Sequence, residues 1–117
     1  MPVCSLLDVN DLNIRYQWFT DSGKTRNEGL LRWSEIAEVA VFKRDMYVYD
    51  LICLTVKHNN GELIEVDEDD ILWLKLVDYL PVRLDGALPF GEWYIDVAFP
   101  AYETSLKAIY SKNIKGL

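Results

Sequence analysis

Between residues 14 and 20 the chain reads IRYQWFT, with Ile14, Tyr16 and Trp18 on one side of an extended segment and Arg15, Gln17 and Phe19 on the other. Alternation among aromatic and β-branched residues predicts a strand. DSGK at 21–24 predicts a turn, because Gly23 accepts positive φ. A second strand is expected over 29–33. From Ile36 to Phe42 the apolar residues nearly fill the run, broken by Glu38. Ala and Glu favour helix there, but the β-branched density and the polar stretch KRDM at 43–46 favour a strand. Residues 47–57, YVYDLICLTVK, predict a long central strand buried on both faces. Asn60-Gly61 predicts a two-residue type I′ hairpin, whose central residues both need positive φ. ELIEV at 62–66 is then the returning strand, with Ile64 and Val66 in the core.

The period changes at Asp67. Leu72, Trp73, Leu76, Val77 and Leu80 fall on one arc at about 100° per residue, and Lys75 and Asp78 lie opposite. An amphipathic helix is predicted over 67–80, with Pro81 ending it. Residues 83–92, with two Gly and a Pro, predict an irregular loop. WYIDVAF at 93–99 fits a strand by alternation and a short helix by the spacing of Trp93 and Val97; Pro100 closes either. Residues 105–112 predict a final strand, with helix as the rival. Strands first and a helix later predict one α+β domain over 1–117. Its expected form is a curled antiparallel β-sheet, a meander, packed on one main amphipathic helix, with a mixed C-terminal strand or helix segment.

Composition narrows the function classes. The chain has 117 residues, half of them hydrophobic and 13% aromatic, which suits one globular core without staples. Its net charge is −7, from 19 acids against 12 bases. That balance opposes nonspecific nucleic-acid binding, which needs cationic surface, and opposes anionic membranes. Neither nucleic acid nor membrane is an expected partner. Cys4 and Cys53 lack the spacing of metal ligands or a redox pair, and Cys53 lies in the apolar run LICLTV. A reducing cytoplasm is the expected location. The N-terminal MPVCSLLDVN has no basic, long-apolar leader pattern, and no apolar stretch reaches the ~20 residues of a membrane span.

The acids Glu65, Asp67, Glu68, Asp69 and Asp70 form the densest charged run. Clustered carboxylates are the ligands of hard cations. Here, however, the alternate spacing, central Gly and distant Glu of a calcium loop are missing. Helix initiation explains the run better, with Asp67 capping free N–H groups and Asp70 completing a capping box. No metal and no cofactor are expected. Lys43, Asp45 and Asp50 form a second cluster. A buried Asp50 would need Lys43 or Arg44 as partner, and an acid–base pair is the functional rival. His58, the single histidine, sits beside the predicted hairpin turn without a nucleophile nearby in sequence. The aromatics exceed what a minimal core needs. Tyr47, Tyr49, Tyr94 and Tyr102 flank turns and acids, where Tyr and Trp serve as interface anchors.

The segment LRWSEIAEVAVFKRDMYVYDLICLTV, followed by EVDEDDILWLKLVDYL, resembles small bacterial domains of the pleckstrin-homology-like type. Those domains close on a long C-terminal helix, whereas over thirty residues follow the helix here. A second resemblance is to short bacterial proteins carried in mobile gene cassettes or beside toxin genes. It rests on Lys43, Asp45, Asp50, Ile52, Cys53, Leu54, Glu68, Asp69, Trp73, Pro100, Ala101, Tyr102 and Glu103. The resemblance implies no established activity and carries over no catalytic residue.

Together these readings lead to a non-enzymatic binding module. An acidic, aromatic-bearing face would meet a protein partner, such as a basic toxin in the manner of immunity-type proteins, or a second copy in a homodimer. The binding residues expected are Tyr47, Tyr49, Asp50, Glu68, Asp69, Trp93, Tyr94, Tyr102 and Glu103. The alternative is a small molecule held between sheet and helix, with Asp50 or Glu103 carrying any catalysis.

Overall fold

A computed structural model describes residues 3–98 and 106–112. The chain forms β1 (Ser5–Val9), β2 (Asn13–Thr20), β3 (Thr25–Arg32), β4 (Ile36–Asp45), β5 (Asp50–His58) and β6 (Leu63–Asp67). Helices α1 (Trp73–Arg83) and α2 (Phe90–Ala98) follow, and β7 (Lys107–Ser111) comes last. Among the described residues all pairs of these strands are antiparallel, and they form two sheets: three strands in the order β1-β2-β3 and four in the order β6-β5-β4-β7.

The expectation of one curled sheet on one helix is therefore wrong, although the α+β content and antiparallel pairing are present. The break lies at a short 3-10 turn, Trp33–Glu35. Trp33 is buried there and donates its indole N–H to the Asn10 carbonyl (2.9 Å). Glu35 accepts the Arg32 N–H (2.9 Å). The turn redirects the chain, so β4 pairs with β5 instead of continuing the meander from β3. The sheets meet again through a parallel bridge between Val3 and Glu65, where the Cys4 N–H donates to the Glu65 carbonyl (2.8 Å).

Within this frame β2 and the turn at 21–24 lie where they are expected, although Asp21 and Ser22 (φ 55° and 58°) share the left-handed region with Gly23 (φ +89°). β3 starts four residues earlier than expected, at Thr25. Its Gly29 pairs with Tyr16 of β2, and a Cβ at Gly29 would run into the Tyr16 ring. β4 is a strand, but KRDM does not stop it: Lys43, Arg44 and Asp45 all belong to the ladder. Two of those polar residues have partners of opposite charge, so the strand has no reason to break. β5 begins at Asp50, not Tyr47, and buries residues on both faces as its composition predicts.

The hairpin at the far end of β5 is not a two-residue type I′ turn. The His58 N–H donates to the Glu62 carbonyl (2.8 Å) and the Gly61 N–H to the His58 carbonyl (2.9 Å), enclosing a three-residue loop. Gly61 alone takes positive φ (+94°), which is the type I turn plus bulge solution. α1 starts at Trp73, six residues later than predicted, and runs through Pro81 to Arg83. Pro81 sits in the last turn, where one lost N–H is tolerated. Trp73, Leu76, Val77 and Leu80 are buried and Lys75 and Asp78 exposed, as the arc predicts. Residues 93–98 are helical: Trp93 and Val97, four apart, enter the core while Ile95 faces outward. β7 pairs with β4 as the expected final strand.

Candidate functional site at one end of the four-stranded sheet

Register decides which residues meet. The last residue of β4, Asp45, lies opposite the first of β5, Asp50, and the last of β6, Asp67, lies opposite Cys53. The loop 46–49 and the acidic loop after β6 therefore stand at the same end of the sheet. α2 covers that end, since Ile52 of β5, Glu68, Trp73 and Leu74 of α1, and Phe90 and Tyr94 of α2 line one cleft of about 500 Å³.

The 46–49 loop is built against the usual rules. The Met46 N–H donates to the Tyr49 carbonyl (2.9 Å), and the Val48 N–H donates back to Met46 (2.9 Å). That second bond closes a γ-turn around Tyr47, whose φ is +73°. Such a turn is rare and strained for a residue with a Cβ, by about 1–3 kcal/mol. The Asp45 carboxylate accepts the Tyr47 N–H (2.8 Å) and holds the turn. Tyr47 is 97% exposed and Val48 88%, with Tyr49 and Met46 also exposed.

Each acid of the 65–70 run has a distinct place. Glu65 is 1% exposed and receives a two-pronged ion pair from Arg44 (2.8 and 3.0 Å). Asp67 accepts the Asp69 N–H (3.0 Å), and Glu68 accepts the Ile52 N–H (3.0 Å). Asp70 accepts the Leu72 N–H (2.9 Å) with one oxygen and the Leu6 N–H (2.8 Å) with the other, tying the loop to β1. The capping expectation thus fails at Asp67: the cap residue of α1 is Leu72, without a side-chain cap bond. The acids shape the approach to the helix instead. Burial, reinforced by repulsion from Asp69, Asp70 and Glu65, raises Asp67 above the usual carboxylate value. Among the described residues no group of three or more His, Cys, Asp or Glu is arranged to hold a metal ion.

The Lys43–Asp50 pair is present (3.6 Å), but with burial reversed from expectation: Lys43 is 2% exposed and Asp50 only partly buried. Lys43 also donates to the Ala98 carbonyl at the end of α2 (3.2 Å). Of the expected binding residues, Tyr47, Tyr49, Asp50, Glu68, Asp69 and Tyr94 gather at this end. Trp93 is 1% exposed and belongs to the core, packing edge-on against Phe90 (5.0 Å between centroids). Tyr102 and Glu103 lie outside the described residues. Sequence reasoning missed Phe90, whose spacing to Tyr94 places both rings on one helical face; the rings stack at 4.7 Å. It also missed Met46, Val48 and Leu74, which carry no charge or motif.

Other titratable groups are held elsewhere. Burial pushes the thiols of Cys4 and Cys53 up to about 11 and about 12. His58 meets Glu35 (3.4 Å) at the opposite end of β5.

The chain matches no family model, no curated protein and no solved structure. Among the described residues no helix is long and apolar enough to cross a membrane.

Proposed function

We propose that the protein is a non-enzymatic interaction module that docks a basic protein partner on the 46–49 end of the four-stranded sheet. The observation that carries this reading is the tip itself: four adjacent apolar or aromatic residues held outward by a strained γ-turn. A surface turn has no structural need for them, and Tyr is a favoured interface anchor. The surroundings supply the charge. Asp45, Asp67, Glu68, Asp69 and Asp70 have no ion-pair partner among the described residues. Their summed field favours a cationic target and speeds its approach. Such a combination suits an immunity-type protein that covers a basic toxin.

Capture by the immobilised chain tests the reading. A basic protein should be retained at low salt, released as ionic strength rises, and lost with the double substitution Tyr47→Ser, Val48→Ser. Equal retention by that variant and by Asp69→Lys would refute it. Sedimentation velocity separates the rival outcome, a homodimer closed through the same tip. The cleft favours a second reading, small-molecule binding, which a thermal-shift screen would reveal.

A further inference from the structure

We infer that the cleft between β5, α1 and α2 is a seat for a guanidinium group, supplied by an arginine side chain of the partner. The source of that arginine rests on the docking reading above; the ligand class rests on the cleft's own chemistry. Phe90 and Tyr94 stack on each other (26° between planes, 4.7 Å between centroids), which leaves the outer face of the pair for a ligand, and Trp73 and Ile52 form an apolar floor. Glu68 stands at the same cleft. One of its oxygens is fixed by the Ile52 N–H (3.0 Å), and the other accepts no hydrogen bond among the described residues.

An apolar cleft with a single oriented carboxylate disfavours anions and leaves a neutral ligand with nothing to match the charge. A cation meets both features at once, ring face and carboxylate. Guanidinium fits better than ammonium for two reasons. It is planar, so it lies on an aromatic face while its in-plane N–H groups still reach a carboxylate, and it is more weakly hydrated than an ammonium. The cleft volume of about 500 Å³ holds such a side chain with its aliphatic stem against Leu74. The exposed tip at 46–49 stands at the same sheet end, so one basic partner spans both.

Titration of the full chain with N-acetyl-arginine amide, followed by amide NMR, tests the assignment. Saturable shifts are expected at Ile52, Glu68, Trp73 and Tyr94, with a Kd on the order of 1 mM for one isolated side chain. The neutral isostere N-acetyl-citrulline amide should bind about tenfold more weakly, and Glu68→Gln should lose a similar factor. Gln keeps an oxygen for the Ile52 N–H, so the fold is retained. Tyr94→Leu should also weaken binding, with the rest of the spectrum unchanged. Equal affinity for citrulline, tighter binding of choline, or shifts that avoid the cleft would each overturn the inference. If arginine amide fails while a partner is still captured through the tip, the guanidinium seat falls and the docking reading stands. If arginine amide binds and no partner is captured, the seat stands and the docking reading falls.

Discussion

At one end of β5 the chain turns through Asn59, Asn60 and Gly61; at the other it turns through Met46, Tyr47, Val48 and Tyr49. The first loop obeys local chemistry throughout. Gly61 takes the positive φ (+94°), the His58 ring accepts the Asn60 N–H (2.9 Å), and the Asn60 side chain accepts the Glu62 N–H (2.8 Å). The second loop places a tyrosine where a glycine belongs, at φ +73°, and exposes four large apolar side chains. Both loops close hairpins of the same sheet, so hairpin closure alone does not require the second arrangement. Asp21 and Ser22 also take positive φ (55° and 58°) in the β2–β3 turn, so it is the pairing of a strained tyrosine with exposed apolar neighbours that sets the 46–49 tip apart and marks it as the end selected for contact.

The most severe way to break this comparison is to loosen the sheet behind the apolar tip. Arg44→Ala leaves Glu65 buried without its cation and is expected to cost about 3 kcal/mol in urea denaturation. The double substitution Arg44→Met, Glu65→Met should recover most of that loss, because no charge is then stranded. Next in size, Gly61→Ala should cost about 1–2 kcal/mol, since alanine resists positive φ. Tyr47→Gly should move the other way and stabilise the fold by about 0.5–1 kcal/mol while weakening partner capture. Opposite signs at the two tips would sharpen the contrast; equal signs would erase it.

Smaller effects follow from titration. Asp67 has a folded value above its unfolded one, so its ionisation opposes folding as pH rises through the folded value. Asp67→Asn keeps an oxygen for the Asp69 N–H and should slightly raise Tm at neutral pH. The gain should vanish below the ordinary carboxylate value of 3.8. Smallest of all is the response of the interior to thiol reagents at pH 8. Cys4 and Cys53, held at about 11 and about 12, should stay unmodified in the native protein and react together in denaturant.

Much of the strand order was legible because alternation and apolar runs report burial directly, as in β2 and β5. What the sequence hid was decided by partners distant along the chain. KRDM reads as a breaker until Lys43 finds Asp50 and Arg44 finds Glu65 across the sheet. The run at 67–70 reads as a helix start until Asp70 is seen bonding β1, sixty-four residues away. WYIDVAF is compatible with two periods, and only burial of Trp93 and Val97 with Ile95 exposed selects the helix. For the site, the outward tyrosines and acids were visible as a surplus over core needs. Trp93 was misassigned because a large aromatic near a turn looks the same whether it anchors a core or an interface.

The bridge between Val3 and Glu65 has a kinetic consequence. The β1-β2-β3 meander and the β4–β6 hairpins close through short loops, so each forms from near neighbours. The bridge joins residues sixty-two positions apart, and Cys4 and Leu6 add bonds across the same gap. Together with the Leu6–Asp70 bond, sixty-four positions apart, this closure carries the largest loop entropy in the molecule's first seventy residues and is expected to follow the local pairings. The seam between the sheets is thus the last of these contacts to zip during folding, and it is a point from which the two sheets would begin to part under load.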